Sequence, residues 1–148
     1  MSGVPAVPRI SVEEAARLLA EEGYAYLDVR TEQEFALGHP SGAYNVPSAL
    51  AAEHGQTQNE AFLGVVCAVF PSEAKLVVGC HTGNRSQRAS LQLMAAGFQV
   101  VELRAGYAGS RDPFGRTLES GWRASGFPTS TEALEGHDYA SLLARVAR

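Results

Sequence analysis

Cysteine is scarce: the 148 residues contain two, Cys67 and Cys80, with no Cys-x-x-Cys pair, and His39, His54, His81 and His137 are scattered. That spacing excludes a structural zinc site. A chain of this length can also build its core without a disulfide staple, so each cysteine is weighed alone. Basic charge is in deficit, with 12 Lys and Arg against 16 Asp and Glu for a net charge of -4. A nucleic-acid surface normally requires the opposite balance, so nucleic acid is excluded as a partner. There is no run of about 18 apolar residues, and Met1-Ser2-Gly3-Val4-Pro5 lacks the basic start and apolar stretch of a secretory signal. The expectation is a soluble cytoplasmic protein with no membrane association.

What is present fits one domain: 148 residues with 45% hydrophobic and 19% charged side chains are near the commonest single-domain size. Ser11-Val12-Glu13-Glu14 opens an amphipathic helix with apolar residues at 12, 15, 16 and 19, and Gly23 ends it. Tyr24 to Val29 reads as a strand buried on both faces. Thr31-Glu32-Gln33-Glu34 is a second capping box, closed by Gly38, and Ala43 to Pro47 is a brief strand ended by proline. The stretch 51–59 reads as loop and 60–70 as helix. Lys75 to Gly79 is a buried strand that enters Cys80 directly; a helix then runs to Ala96, and Gln99 to Leu103 is the next strand. Gly106, Gly109, Pro113 and Gly115 mark a long loop, and a last helix is expected from Asp138. This alternation predicts an α/β fold with a parallel sheet, whose ligands bind at the carboxyl ends of the strands.

Cys80 occupies one of those ends. A thiol reacts as thiolate, a form favoured at a helix N-terminus or beside cations. Here Cys80 precedes a helix, and Arg85 and His81 add positive charge. Gly83 can take a positive φ, so that successive N–H groups curve into an anion-binding nest. Cys80 to Arg85 spans six residues, one fewer than the Cys-x5-Arg loop of cysteine phosphatases. A smaller ring of amides suits one terminal sulfur better than a tetrahedral phosphate, so the loop points to a persulfide. The reading requires a Cys80 side chain that a donor can reach.

The loop Cys80-His81-Thr82-Gly83-Asn84-Arg85-Ser86, the run Asp28-Val29-Arg30 to Asn45-Val46-Pro47 with Glu34-Phe35 and Gly38-His39-Pro40 inside it, and Gly106-Tyr107 followed by Trp122 to Pro128 together resemble the rhodanese-like sulfurtransferases. The resemblance covers roughly residues 9 to 128, leaving 129–148 as a C-terminal helical extension of a single domain spanning 1–148. It implies a rhodanese-like α/β fold with a five-stranded parallel sheet and helices on both faces. It further implies transfer of sulfane sulfur from thiosulfate to cyanide or a thiol through a persulfide on Cys80, with no cofactor and no metal. The partners are a small-molecule sulfur donor and acceptor, with a thiol carrier protein as a further candidate acceptor.

Asp28, Arg30, Glu34 and His39 match the upstream motif, where the resemblance implies that they brace the loop; for Asp28 and Arg30 a structural salt bridge is the favoured reading, because buried charges are normally paired. The stretch 110–120 is longer than a minimal domain needs, and Arg111 or Arg116 within it is the candidate cation for an anionic donor. Cys67, inside Val65-Val66-Cys67-Ala68-Val69, reads as a core thiol. The direction of His81 is open. Two other functions compete: a cysteine phosphatase or arsenate reductase, and a non-catalytic rhodanese-like module that docks a partner protein.

Overall fold

The computed structural model describes residues 7–53, 55–81 and 86–146. Five strands form the central sheet: β1 (Arg9–Ile10), β2 (Ala25–Asp28), β3 (Tyr44–Asn45), β4 (Lys75–Gly79) and β5 (Gln99–Leu103), in the order β1-β5-β4-β2-β3. All four pairings are parallel. The helices are α1 (Val12–Glu21), α2 (Glu32–Leu37), α3 (Phe62–Val69), α4 (Ser86–Ala95) and α5 (Tyr139–Val146). The α/β parallel sheet expected from the sequence is therefore present, with the two-residue β1 as an edge strand that no apolar run announced.

Side chains alternate across the sheet, as the two-residue period of a strand demands. Leu76 and Val78 of β4 and Leu27 of β2 face one core layer, which also holds Phe62, Val65 and Val66 of α3, Leu93 of α4, and Tyr139 and Leu142 of α5. Val77 and Tyr26 face a second layer, with Val12 and Ala15 of α1, Phe35 of α2, and Trp122. Helices thus cover both faces. On α1 the Ser11 side chain accepts from the Glu14 amide, as the capping pattern predicts, and the buried residues are Val12, Ala15 and Leu18. Leu19 is only partly covered.

Three regions differ from the sequence reading. Ala49–Ala52 and Gly55–Gln58 pair as an antiparallel ribbon where a loop was expected. Gly109–Arg111 and Thr117–Ser120 form another, irregular between Thr117 and Glu119. Neither carries an apolar alternation, because both are exposed over most of their length and backbone pairing needs none. The second ribbon is fastened to β5 by Arg104, whose guanidinium donates to Glu119 at 2.7 and 2.8 Å. Finally, Cys67 is exposed. Val65 and Val66 are fully buried, and one further residue along a helix turns the side chain out of that face.

Candidate active site

Cys80 continues the β4 alternation, so its side chain lies in the same core layer as Leu76 and Val78. There it meets the start of α4: Cys80 Sγ is 3.6 Å from Ser86 Oγ. The Ser86 hydroxyl in turn donates to Glu102 Oε1 at 3.1 Å, and Arg9 Nε donates to the same oxygen at 3.2 Å. Glu102 reaches this position because it stands opposite Val78 in the β4–β5 register. Sequence reasoning missed Glu102 and Arg9. The signal that could have found them is an acid in the middle of an apolar strand, since a buried carboxylate needs partners.

Backbone contacts hold the entrance of the loop. The Tyr107 amide donates to the Cys80 carbonyl at 2.7 Å and the Ala108 amide to the His81 carbonyl at 2.8 Å. This approach requires Gly106, with φ at +70°: a Cβ there would lie 2.6 Å from the His81 oxygen and 2.8 Å from the Cys80 oxygen. Gly79 has a similar role, because a Cβ at that position would run into the Tyr26 phenol. Burial, helped by the Asp28 carboxylate nearby, pushes that phenol well above the usual tyrosine range. Tyr26 is therefore a neutral hydroxyl on the strand beside the one that leads into Cys80.

The upstream motif forms a brace. Arg30 Nε and Nη2 donate to Asp28 at 3.0 and 2.8 Å, and Nη2 also donates to the Gly38 carbonyl at 2.6 Å. Both side chains are buried, at 3% and 1% exposure. Burial alone would disfavour the Arg30 charge, but the Asp28 hydrogen bonds and carboxylate hold it above its ordinary value. The guanidinium carbon sits 4.4 Å from the centre of the Tyr107 ring. His39 is stacked on Phe35 at 3.6 Å, with Nδ1 2.7 Å from the Phe35 carbonyl and Nε2 3.2 Å from that of Glu132. Thr31 and Glu34 complete their capping box. The other Glu34 oxygen lies 4.0 Å from His81 Nδ1. Asp28, Arg30 and Glu34 are thus gathered around the loop entrance, while His39 acts one layer back, on α2 and the C-terminal extension.

Thr82, Gly83, Asn84 and Arg85 lie outside the described residues, and with them the amide ring inferred from the sequence. Arg111 and Arg116 belong to the exposed ribbon and are engaged locally: Arg111 donates to the Gly115 carbonyl at 3.2 Å and Arg116 to Asp112 at 2.8 Å. The sequence reading requires a Cys80 side chain that a donor can reach, and the structure is contrary to it: Cys80 is 1% exposed, enclosed in the core layer of Leu76 and Val78.

Comparison with known proteins agrees with this architecture. The model of the rhodanese-like domain matches residues 11–111. Thiosulfate sulfurtransferase 16, chloroplastic, of Arabidopsis thaliana is 38% identical over 121 residues, covering 81% of this chain and 90% of that protein. Senescence-associated protein DIN1 of Raphanus sativus is 42% identical over 102 residues, 68% of this chain and 56% of the relative. The chain thus spans only about half the length of some curated relatives, as it does for the rhodanese-like domain-containing protein 15 of Arabidopsis thaliana, at 51%. Among solved structures, Rv0390 from M. tuberculosis superposes with a TM-score of 0.69 at 26% identity, over 86% of this chain and 100% of that one.

Proposed function

Since the chain belongs to the rhodanese-like domain family, we propose that it is a sulfurtransferase that moves sulfane sulfur from thiosulfate or a similar donor to a thiophilic acceptor, cyanide or a thiol, through a persulfide on Cys80. The observation that carries this reading is the seat of Sγ against Ser86, the first residue of α4. The positive end of a helix favours negative charge close to it, which both the thiolate and the persulfide bear.

In the first half-reaction the Cys80 thiolate attacks the outer sulfur of thiosulfate. A bond from Sγ to that sulfur forms as the donor's sulfur–sulfur bond breaks, and the electron pair leaves on sulfite. In the second, the acceptor attacks the outer sulfur and the pair returns to Sγ, so no external oxidant or reductant is consumed. The Tyr107 and Ala108 amides hold the Cys80 and His81 carbonyls, and the Asp28–Arg30 pair braces the neighbouring strand end.

Intact mass spectrometry after thiosulfate treatment tests the reading. We expect a gain of about 32 Da, one sulfur held as persulfide, located on Cys80 and absent from Cys80→Ser, which should also release no thiocyanate from cyanide. A protein that takes up no sulfur but hydrolyses para-nitrophenyl phosphate would sink the proposal in favour of phosphatase chemistry.

A further inference from the structure

We propose that Glu102 is the proton acceptor for Cys80, reached through the Ser86 hydroxyl; this rests on the sulfur-transfer reading above, which needs the thiolate that such a transfer makes. Three side chains form one line. The Cys80 thiol donates to Ser86 Oγ at 3.6 Å, and the Ser86 hydroxyl donates to Glu102 Oε1 at 3.1 Å. All three residues are enclosed, at 1%, 0% and 1% exposure.

The direction of the line follows from valence. An ionised carboxylate only accepts, and a serine hydroxyl has one proton to give. With that proton committed to Glu102, Ser86 turns lone pairs toward Cys80 and holds the sulfur as a thiol, not as a thiolate. Sγ is closed off from bulk water in the core layer of Leu76 and Val78, and the hydroxyl beside it offers its proton a route inward. Register explains why an acid stands at the end of that route: Glu102 lies across from Val78 on one side and from Arg9 on the other.

The transfer balances within the three side chains. The thiol proton passes to Ser86 Oγ as the Ser86 proton passes to Glu102 Oε1. An S–H and an O–H bond break, a serine O–H and a carboxyl O–H bond form, and the total charge stays at one negative. Both hydrogen bonds survive with their directions reversed, Glu102 now donating to Ser86 and Ser86 to the thiolate. The negative charge has moved to sulfur, and the neutral acid no longer repels it in either the thiolate or the persulfide. When an acceptor takes the outer sulfur, the proton returns by the same path.

An ordinary thiol holds its proton more tightly than an ordinary carboxylic acid by about four pH units, so the surroundings have to favour the exchange. They do so at both ends. The thiolate forms against the first residue of α4, and a helix N-terminus attracts negative charge. The carboxylate that gives up its charge is buried, where charge is unfavourable. Arg9 opposes the transfer by donating to the same oxygen at 3.2 Å, but it is 37% exposed and also donates to the Arg104 carbonyl. Of the other ionisable groups near Cys80, Tyr26 is kept neutral by burial, Asp28 and Arg30 hold each other, and His81 faces Glu34.

The test follows the rate at which iodoacetamide alkylates Cys80 as pH is varied, on the full chain carrying Cys67→Ser so that one thiol reports. The reagent reaches Cys80 in the same transient openings that a donor needs. A proton shared between Cys80 and Glu102 stays within the pair, so the rate should hold a plateau between the ordinary carboxyl and thiol ranges, about pH 5 to 7.5. Glu102→Gln should abolish the plateau and leave a rate that falls about tenfold per pH unit, as for an isolated thiol. Ser86→Ala should do the same with the acid still in place, and Ser86→Thr should restore the plateau. General loosening of the fold would instead raise the rate by exposing the thiol, and simple repulsion by the acid predicts a faster reaction in Glu102→Gln. A rate indifferent to Glu102, a rate raised throughout by its loss, a parent chain without the plateau, or a Cys80 that is alkylated at no pH overturns the relay. If the plateau and its losses are found but thiosulfate leaves no sulfur on the protein, the relay stands and the sulfurtransferase reading fails; if sulfur loads with a pH profile indifferent to Glu102 and Ser86, the relay fails and the sulfurtransferase reading stands.

Discussion

The Ser86 hydroxyl donates to the Glu102 carboxylate at 3.1 Å, and neither residue has appreciable contact with solvent, at 0% and 1% exposure. Because Cys80 Sγ lies on the other side of the same hydroxyl, a buried acid is one hydroxyl removed from the thiol. A carboxylate in that position would repel a thiolate, so its charge has to be held elsewhere. Arg9, a third exposed, does this from the sheet edge at 3.2 Å.

Removing the acid should therefore cost stability. In Glu102→Ala, Ser86 loses an acceptor and Arg9 its carboxylate, and urea unfolding should show a loss of about 1–3 kcal/mol, the usual cost of stranding buried polar partners. Glu102→Gln keeps an acceptor for Ser86 and should lose less. Equal losses in the two variants would mean that the charge, and not the hydrogen bond, is what the site needs.

Gly79 and Tyr26 form a second coupled pair, since a Cβ at 79 would occupy the place of the phenol oxygen. Gly79→Ala should destabilise the fold by about 1–3 kcal/mol, as overpacking does. Tyr26→Phe in the same chain removes the nearest clashing atom and should recover part of that loss, with a coupling of about 0.5 kcal/mol or more. Strictly additive effects in the double-mutant cycle would show that the phenol moves aside freely.

Cys67 provides a control of the opposite kind. It is exposed on α3, so Cys67→Ser should alter the unfolding free energy from urea titration by no more than about 0.5 kcal/mol, the range of ordinary surface changes. Persulfide loading of the protein should be undiminished. A large loss of either stability or sulfur uptake would contradict the assignment of Cys80 as the sole sulfur carrier.

Much of this protein follows from short-range chemistry. The caps at Ser11 and Thr31, the apolar run Lys75 to Gly79 and the glycines beside it are local features, and local features suffice to predict alternating strands and helices with Cys80 at a strand's carboxyl end. The same reasoning went astray where packing is decided across the chain. Leu18 is buried in place of Leu19, Cys67 turns outward, and two ribbons form without any apolar alternation.

The order and register of the strands were decided only in three dimensions. The sequence by itself determined where Cys80 stands and the pattern around it, because its place between a strand and a helix depends on neighbours a few residues away. The tertiary structure alone brought Glu102 and Arg9 to the Ser86 hydroxyl beside Cys80 and Tyr107 to the Cys80 carbonyl. Those meetings depend on β5 lying beside β4 and on backbone bonds between residues far apart in sequence, and no periodicity along the chain encodes a distance across a sheet.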